Sequence, residues 1–410
     1  SYKRIFGKHL PMGLLSGTPN DIEQAKDASF LFSTMNMMAK EHIREQFAPD
    51  EYSIIILDEC HRTGADSYQK IIDYFKPELL LGMSASPERG DNFDVFKLFD
   101  HNIACEIRLQ QALENDLLCP FHYFGITDID IDGEIGDISS FSQLTSDKRV
   151  EHILERAEYY GYSGDRVKGL IFCSTKNEAS ELSKKFNETG RYSTIMLCGE
   201  NSQEERESAV ERLVTTNHPH KLDYIFTVDI FNEGVDIPEI NQVIMLRPTE
   251  SPIIFVQQLG RGLRKADGKE FVIVIDFIGN YQNNYMIPIA LSGDRTGNKD
   301  NIRRSLMEGN NLIQGASTIY FDEVSRKRIY ESIDKAKTDS TRLLKNAYKN
   351  LRFKLGRIPT LCDFDKYGEI DPLLFINKYK SYHSFLQVVG EDEYKTKFDK
   401  VQESILNYAS

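Results

Sequence analysis

The sequence predicts an α/β protein of two parallel-sheet units followed by a mostly helical region. Three observations predict it. Short apolar runs recur as continuous rather than alternating stretches, which suits parallel strands covered on both faces. Helical patterns separate the runs, giving βα alternation. Beyond residue 290 the strand-like runs stop. A chain of 410 residues is also long enough for two or three domains.

The first group of runs is 30–33 (FLFS), 54–57 (IIIL) and 79–83 (LLLGM). The second is 169–173 (GLIFC), 194–198 (TIMLC), 224–228 (YIFTV), 242–246 (QVIML) and 271–277 (FVIVIDF). Between them, 125–148 is polar, acidic and rich in Gly and Ser, so domains are expected at 1–120, 121–289 and 290–410. One helix start is legible at Thr175 and Glu178, which have capping-box spacing. Ala179, Leu182 and Phe186 continue it as an apolar stripe, and Gly190 ends it. Ser202 and Glu205 repeat the start signal. From 326 the pattern is helical and tyrosine-rich, with Leu343, Leu344, Ala347, Tyr348, Leu351 and Leu355.

Hydrophobic content of 40% and charged content of 28% are those of a soluble globular protein. No apolar run is long enough to span a bilayer, and no signal-peptide core follows Ser1-Tyr2-Lys3-Arg4. The six cysteines form no C-x-x-C pair, so they read as buried reduced thiols of a cytoplasmic protein. A net charge of −13 argues against a surface coated for nucleic-acid binding, but leaves a local basic groove open.

The stretch SIIILDECHRTG (53–64) runs a buried strand into Asp58 and Glu59. Ligands bind at the C-terminal ends of parallel strands, where an Asp can hold magnesium and a Glu can activate water. Such a pair also often does no more than start a loop. Other stretches add weight: Ser84-Ala85-Ser86 ends a second strand, and Gly234 and Asp236 follow a third. IFVQQLGRGLRK (254–265) supplies Gln257, Gly260, Arg261 and Arg264. On a helix the two arginines, three apart, would share a face and could neutralise phosphoryl charge, or form only a solvated basic face.

Asp58-Glu59-Cys60-His61, Ser84-Ala85-Ser86, 224–238 and Gln257–Arg264 stand in the order of motifs II, III, V and VI of superfamily-two helicases. The chain resembles most the DEAH-type branch, near restriction-type and repair-type translocases. GLIFCST (169–175) resembles motif IV and FLFSTMNMM (30–38) resembles motif Ib, so the resemblance covers roughly 1–280. IDFIGNYQNNY (275–285), ALSGDR (290–295) and GRIPTLCDF (356–364) are similar to the C-terminal region of bacterial helicases. Those carry a phospholipase-D-like domain in front and a domain of unknown function behind.

The resemblance implies two RecA-like lobes, ATP and Mg2+ as cofactors, and nucleic acid as partner, with DNA preferred over RNA. Asp58 would hold magnesium through water, and Glu59 would activate the attacking water. His61 would couple the ATP site to motif VI or the nucleic acid, and Ser84 and Ser86 would link hydrolysis to motion. Gly234, Asp236 and Gln257 would approach the nucleotide, and Arg261 and Arg264 the γ-phosphate. Thr34, Ser174, Thr175 and Thr227 would touch the nucleic-acid backbone.

No G-x-x-x-x-G-K-[ST] phosphate loop occurs. Gly7-Lys8 is followed by His9 and Gly268-Lys269 by Glu270, each with the wrong residue five before the glycine. The chain is therefore expected to be a fragment beginning after motifs I and Ia, flanked by further domains and inactive alone.

Residues 326–357 hold eleven Lys/Arg and three acids, a local charge of +8, interleaved with Tyr330, Tyr348 and Phe353. They read either as a helical wall along a phosphate backbone, with Lys349, Arg352 and Lys354 in contact, or as a solvated face whose aromatics are core. Three functional readings follow: an ATP-driven DNA helicase or translocase, a non-catalytic binding module, and an RNA helicase.

Overall fold

The computed structural model describes residues 10–15, 19–62, 66–84, 93–129, 141–228, 237–249, 251–279, 281–308, 316–336, 340–391 and 401–402. Its strands are β1 (Met12–Leu15), β2 (Phe30–Ser33), β3 (Ile54–Leu57), β4 (Leu79–Gly82), β5 (Phe121–Thr127), β6 (Gly169–Phe172), β7 (Thr194–Leu197), β8 (Tyr224–Thr227), β9 (Gln242–Met245), β10 (Val272–Ile278) and β11 (Thr318–Phe321). Every pairing between them is parallel. The chain divides into two compact units. The first takes 1–105, 341–366 and 389–391, and the second takes 106–340, 367–388 and 392–410. Among the described residues no helix is long and apolar enough to cross a membrane.

In the second unit seven strands form one sheet in the order β11-β5-β10-β9-β6-β8-β7. Strands β6, β8, β9 and β10 are buried along their whole length, as their continuous apolar runs predict. Apolar clusters fill the space on both sides, one with Phe255, Leu259 and Ile329 and the other with Ile153, Leu182 and Phe186. Three strands of the molecule were not legible as apolar runs. Strands β1 and β11 are four residues long, and β5 interrupts its apolar residues with His122 and Gly125. Strand β5 nonetheless lies between β10 and β11.

The first unit holds two two-stranded sheets, β1-β2 and β3-β4. Here the expectation of burial on both faces is corrected. Ile54, Ile56 and Leu79 are exposed while Leu57 is buried, so β3 and β4 bury one face better than the other. The core lies on that better-covered side, where Leu15, Ile43, Phe47, Ile71 and Phe75 pack together. Gly82 is required at the end of β4, because an added Cβ would lie 2.4 Å from the Phe99 ring and 3.0 Å from Cys60 Sγ.

The region beyond 290 is mostly helical, but its residues are shared between the units. Helix Glu323–Lys335 belongs to the second unit, and Arg328 there is buried and donates to the Ile278 carbonyl. Helix Thr341–Leu355 belongs to the first, where the His101 ring Nδ1 donates to the Phe353 carbonyl at 2.6 Å. The basic stretch is therefore two helices that belong to different units. Tyr348 is core, only 2% exposed, and donates to Glu391 at 2.6 Å.

A buried ionic network holds the second unit's sheet to its helices. The Arg149 guanidinium, fully buried, binds Asp128 just past β5 at 2.8 Å and Glu178 at 2.9 Å, and donates to the Leu144 carbonyl. The two carboxylates hold the guanidinium charged despite its burial. Removing one partner of such a group leaves buried charge uncompensated. Arg149→Met is expected to destabilise the second unit by about 3–5 kcal/mol in denaturant unfolding. A loss below about 1 kcal/mol would show that Asp128 and Glu178 do not depend on it.

Candidate nucleotide and nucleic-acid site

In the first unit the parallel register β3–β4, Ile54↔Leu79 to Leu57↔Gly82, puts the two strand ends side by side. Past the ends the backbone stays laced: Met83 N–H donates to Leu57 C=O and Cys60 N–H to Met83 C=O, both at 2.9 Å. The chain makes that return by placing Glu59 at φ +50°, in the left-handed region where a non-glycine residue is strained. The Glu59 N–H donates to Asp58 Oδ1 at 3.0 Å, leaving Asp58 exposed at the tip.

This kink aims His61 back across the tips. Its Nδ1 lies 3.1 Å from Glu59 Oε2 and 3.0 Å from Ser84 Oγ. Three sequence-predicted residues, Glu59, His61 and Ser84, are thus brought together beside Asp58. Burial, then Glu59, pushes the Cys60 thiol up to about 11, so it is no nucleophile at neutral pH. Among the described residues no group of three or more His, Cys, Asp or Glu could hold a metal alone. Asp58 as a single exposed carboxylate fits Mg2+, which commonly takes one or two carboxylates plus phosphate oxygens and water.

In the second unit, helix Pro252–Gly260 carries half-buried Gln257 and ends before the arginines. The helical face assumed for Arg261 and Arg264 is corrected. Arg261, Gly262 and Leu263 donate to the carbonyls three residues back, so the arginines lie on a tight 3-10-like turn. Arg264 is exposed and Arg261 half-buried. The turn is pinned at its middle: Leu263 is 1% exposed and its carbonyl accepts from Cys119 N–H at 2.7 Å. Ser86, Gly234 and Asp236 lie outside the described residues.

Thr34 and Thr175 are exposed, and each is a helix N-cap whose Oγ1 accepts a backbone N–H, from Met37 at 3.3 Å and Glu178 at 3.2 Å. Capping occupies the oxygen as acceptor and leaves the O–H able to donate. Ser174 is exposed, and its N–H donates to Glu178 Oε2 at 3.0 Å. Capping-box spacing located this helix but not the destination of Glu178, which serves Ser174 and Arg149 rather than Thr175 N–H. The pair Ser202 and Glu205 does close a full capping box. Thr227 is fully buried, with no hydrogen-bond partner for Oγ1 among the described residues, so its side chain lies below the surface. Lys349 is exposed, Lys354 is 7% exposed, and Arg352 pairs with Glu391 at 2.6 Å.

Comparison with known proteins agrees with this architecture. Residues 1–89 match the family described as type III restriction enzyme, res subunit, and 148–266 match the helicase conserved C-terminal domain. Residues 344–410 match a domain of unknown function, DUF8090. The chain is 26% identical over 250 residues to the candidate ATP-dependent helicase IRC3 of Saccharomyces cerevisiae, covering 57% of this chain and 35% of that protein. It is 22% identical over 267 residues to the type I restriction enzyme EcoAI endonuclease subunit of Escherichia coli, covering 57% and 32%. It therefore spans about a third of the length of these curated relatives. The solved structure of the ATP-dependent type ISP restriction-modification enzyme LlaBIII bound to DNA superposes with a TM-score of 0.53 at 16% identity, over 98% of this chain and 34% of that one.

The fold and the two matched domains are helicase-like, of the superfamily-two kind. Its relatives within that class include helicases and type I restriction-enzyme subunits.

The turn that carries the arginines tolerates no added methyl at its centre: a Cβ on Gly262 would lie 2.7 Å from Val272 Cγ1. Gly262→Ala is expected to destabilise the second unit by about 1–3 kcal/mol in chemical denaturation. Unchanged stability would mean that the turn is free to move away from β10.

Proposed function

We propose that this chain forms the core of an ATP-driven nucleic-acid helicase or translocase, with DNA as the preferred track. The observation that carries the reading is the Glu59–His61–Ser84 contact beside exposed Asp58. It joins the strand tip that would handle magnesium and water to the strand tip that would report on hydrolysis.

In this reading Asp58 holds magnesium through water, and Glu59 orients the attacking water and takes its proton. His61 bridges Glu59 to Ser84, so a change at the carboxylate reaches β4. Ser86, Gly234, Asp236 and Gln257 complete the nucleotide surroundings. Arg261 and Arg264 offset charge on the γ-phosphate, with Arg264 as the finger. Bound ATP would supply the phosphoryl group whose transfer to water releases the free energy of each step. Thr34, Ser174 and Thr175 donate to phosphate oxygens, positioning a strand without reading its bases. Lys349 and Arg352 extend that track. A cytoplasmic location belongs to the same reading.

The preference for DNA rests on the restriction-enzyme relatives, among them LlaBIII, solved bound to DNA. The 410-residue chain has no G-x-x-x-x-G-K-[ST] loop, and by itself it binds ATP weakly and turns over little of it.

The test is steady-state ATP hydrolysis in a form that also carries a phosphate-binding loop, with single-stranded DNA, duplex DNA or RNA added. DNA is expected to stimulate turnover, and Glu59→Gln to abolish it. Arg264→Ala is expected to lower turnover by about 10³–10⁵. Turnover unaffected by any nucleic acid, or by Arg264→Ala, would overturn the reading. The 410-residue chain measured alongside is expected to stay near background, and rapid DNA-stimulated hydrolysis by it would show that the loop is dispensable.

A further inference from the structure

The Gly268-Lys269 pair has neither the spacing nor the hydroxyl of a phosphate loop, yet Lys269 is drawn into the second unit. Its Nζ donates to the main-chain carbonyls of Pro238, Ile240 at 3.1 Å and Gly262 at 3.0 Å. An ammonium has three N–H donors, and here three carbonyls receive them. Gly262 lies inside the turn that bears Arg261 and Arg264. Pro238 and Ile240 follow Asp236 by two and four residues. One side chain therefore fastens together two segments that the sequence assigns to the nucleotide.

We propose that Lys269 is a positioning residue: its ammonium fixes the arginine-bearing turn to the segment after Asp236, so that both face the nucleotide in one arrangement. The proposal rests on the reading of Arg261 and Arg264 as phosphate-facing groups. Other side chains do not replace this one. A planar guanidinium does not fan its donors as an ammonium does. An apolar side chain would leave buried carbonyls unmet. The rest of the turn is already anchored by buried Leu263 and by Gly262 against Val272, which makes Lys269 the link to the second segment.

Burial lowers the ammonium's pKa to about 8. The titratable groups facing it are Cys119 and Glu239, while Lys265, paired with Asp116 at 2.7 Å, faces Cys119 in turn. The folded value lies below the unfolded one, so between them the unfolded chain binds the extra proton, and linkage makes global stability rise with pH. The same sign holds for a local opening that returns Lys269 to water, so raising the pH does not loosen the turn. Loss of protection confined to the turn and the segment after Asp236 is the mark of a positioning role, because a lysine that only supports the fold would lower protection throughout the unit.

Hydrogen exchange on the 410-residue chain tests this, read as protection factors corrected for intrinsic rate. The reporter amides are Ile240, Gly262 and Leu263, which donate to Ile237, Leu259 and Gly260 carbonyls respectively. In Lys269→Met these amides are expected to lose protection about tenfold or more. The amide of Ile171, in buried β6, is expected to keep its protection. Unchanged protection at the reporters, or an equal fall at Ile171, overturns the proposal. If Lys269→Met does not fold, Lys269→Arg decides: it keeps the charge but not the fan of donors, and the same amides are expected to lose protection while Ile171 keeps its own. No nucleotide enters the measurement. Failure of the underlying functional reading would appear separately, as absent nucleic-acid-stimulated hydrolysis in a loop-bearing protein with native Lys269.

Discussion

Parallel pairing is the constraint on which the rest of the molecule depends. In a parallel sheet every strand ends on the same edge, so residues far apart in sequence become neighbours without any local signal between them. In the first unit it brings Asp58, Glu59 and His61 to Ser84, twenty-three residues after His61. The left-handed backbone at Glu59 sharpens the effect. It lets Cys60 continue the ladder to Met83 while His61 folds back over the tips.

The second unit meets a different requirement. Its sheet is covered on both faces, so the groups that shape its surface loops are held by buried polar contacts. Arg149 ties Asp128, just past β5, to Glu178 in the helix that Thr175 caps and Ser174 precedes. Lys269 ties the arginine turn to the segment entering β9. Each uses a charge taken out of water and matched to nearly all its donors, which is the condition under which a buried cation rigidifies rather than destabilises.

How much of this was legible followed from the range of each signal. Long apolar runs announced most strands, because burial on two faces leaves little choice of residue. Strand β5 was hidden by His122 and Gly125, and β1 and β11 by their shortness. The strands β3 and β4 read as doubly covered, yet Ile54, Ile56 and Leu79 are exposed. An apolar run reports what a strand could bury, not what lies against it. The candidate residues were found by their order along the chain, and Thr175 by its capping pattern. The anchoring roles of Glu178, Arg149 and Lys269 were not legible, since their partners are main-chain groups or residues from other elements. The +8 stretch misled in one respect: a count of charges does not show that its two helices divide between two units, or that Tyr348 and Lys354 are buried.

The central proposal is that the carboxylate tip at Asp58 and the arginine turn act in one nucleotide-driven cycle on DNA. Linkage between nucleotide and DNA binding tests it most directly. DNA affinity of the loop-bearing protein would be measured with and without ADP plus beryllium fluoride, for the native sequence and for Arg264→Ala. The account predicts that the nucleotide analogue shifts native DNA affinity by about fivefold or more and leaves that of Arg264→Ala unchanged. Equal affinities with and without the analogue in the native protein would contradict it.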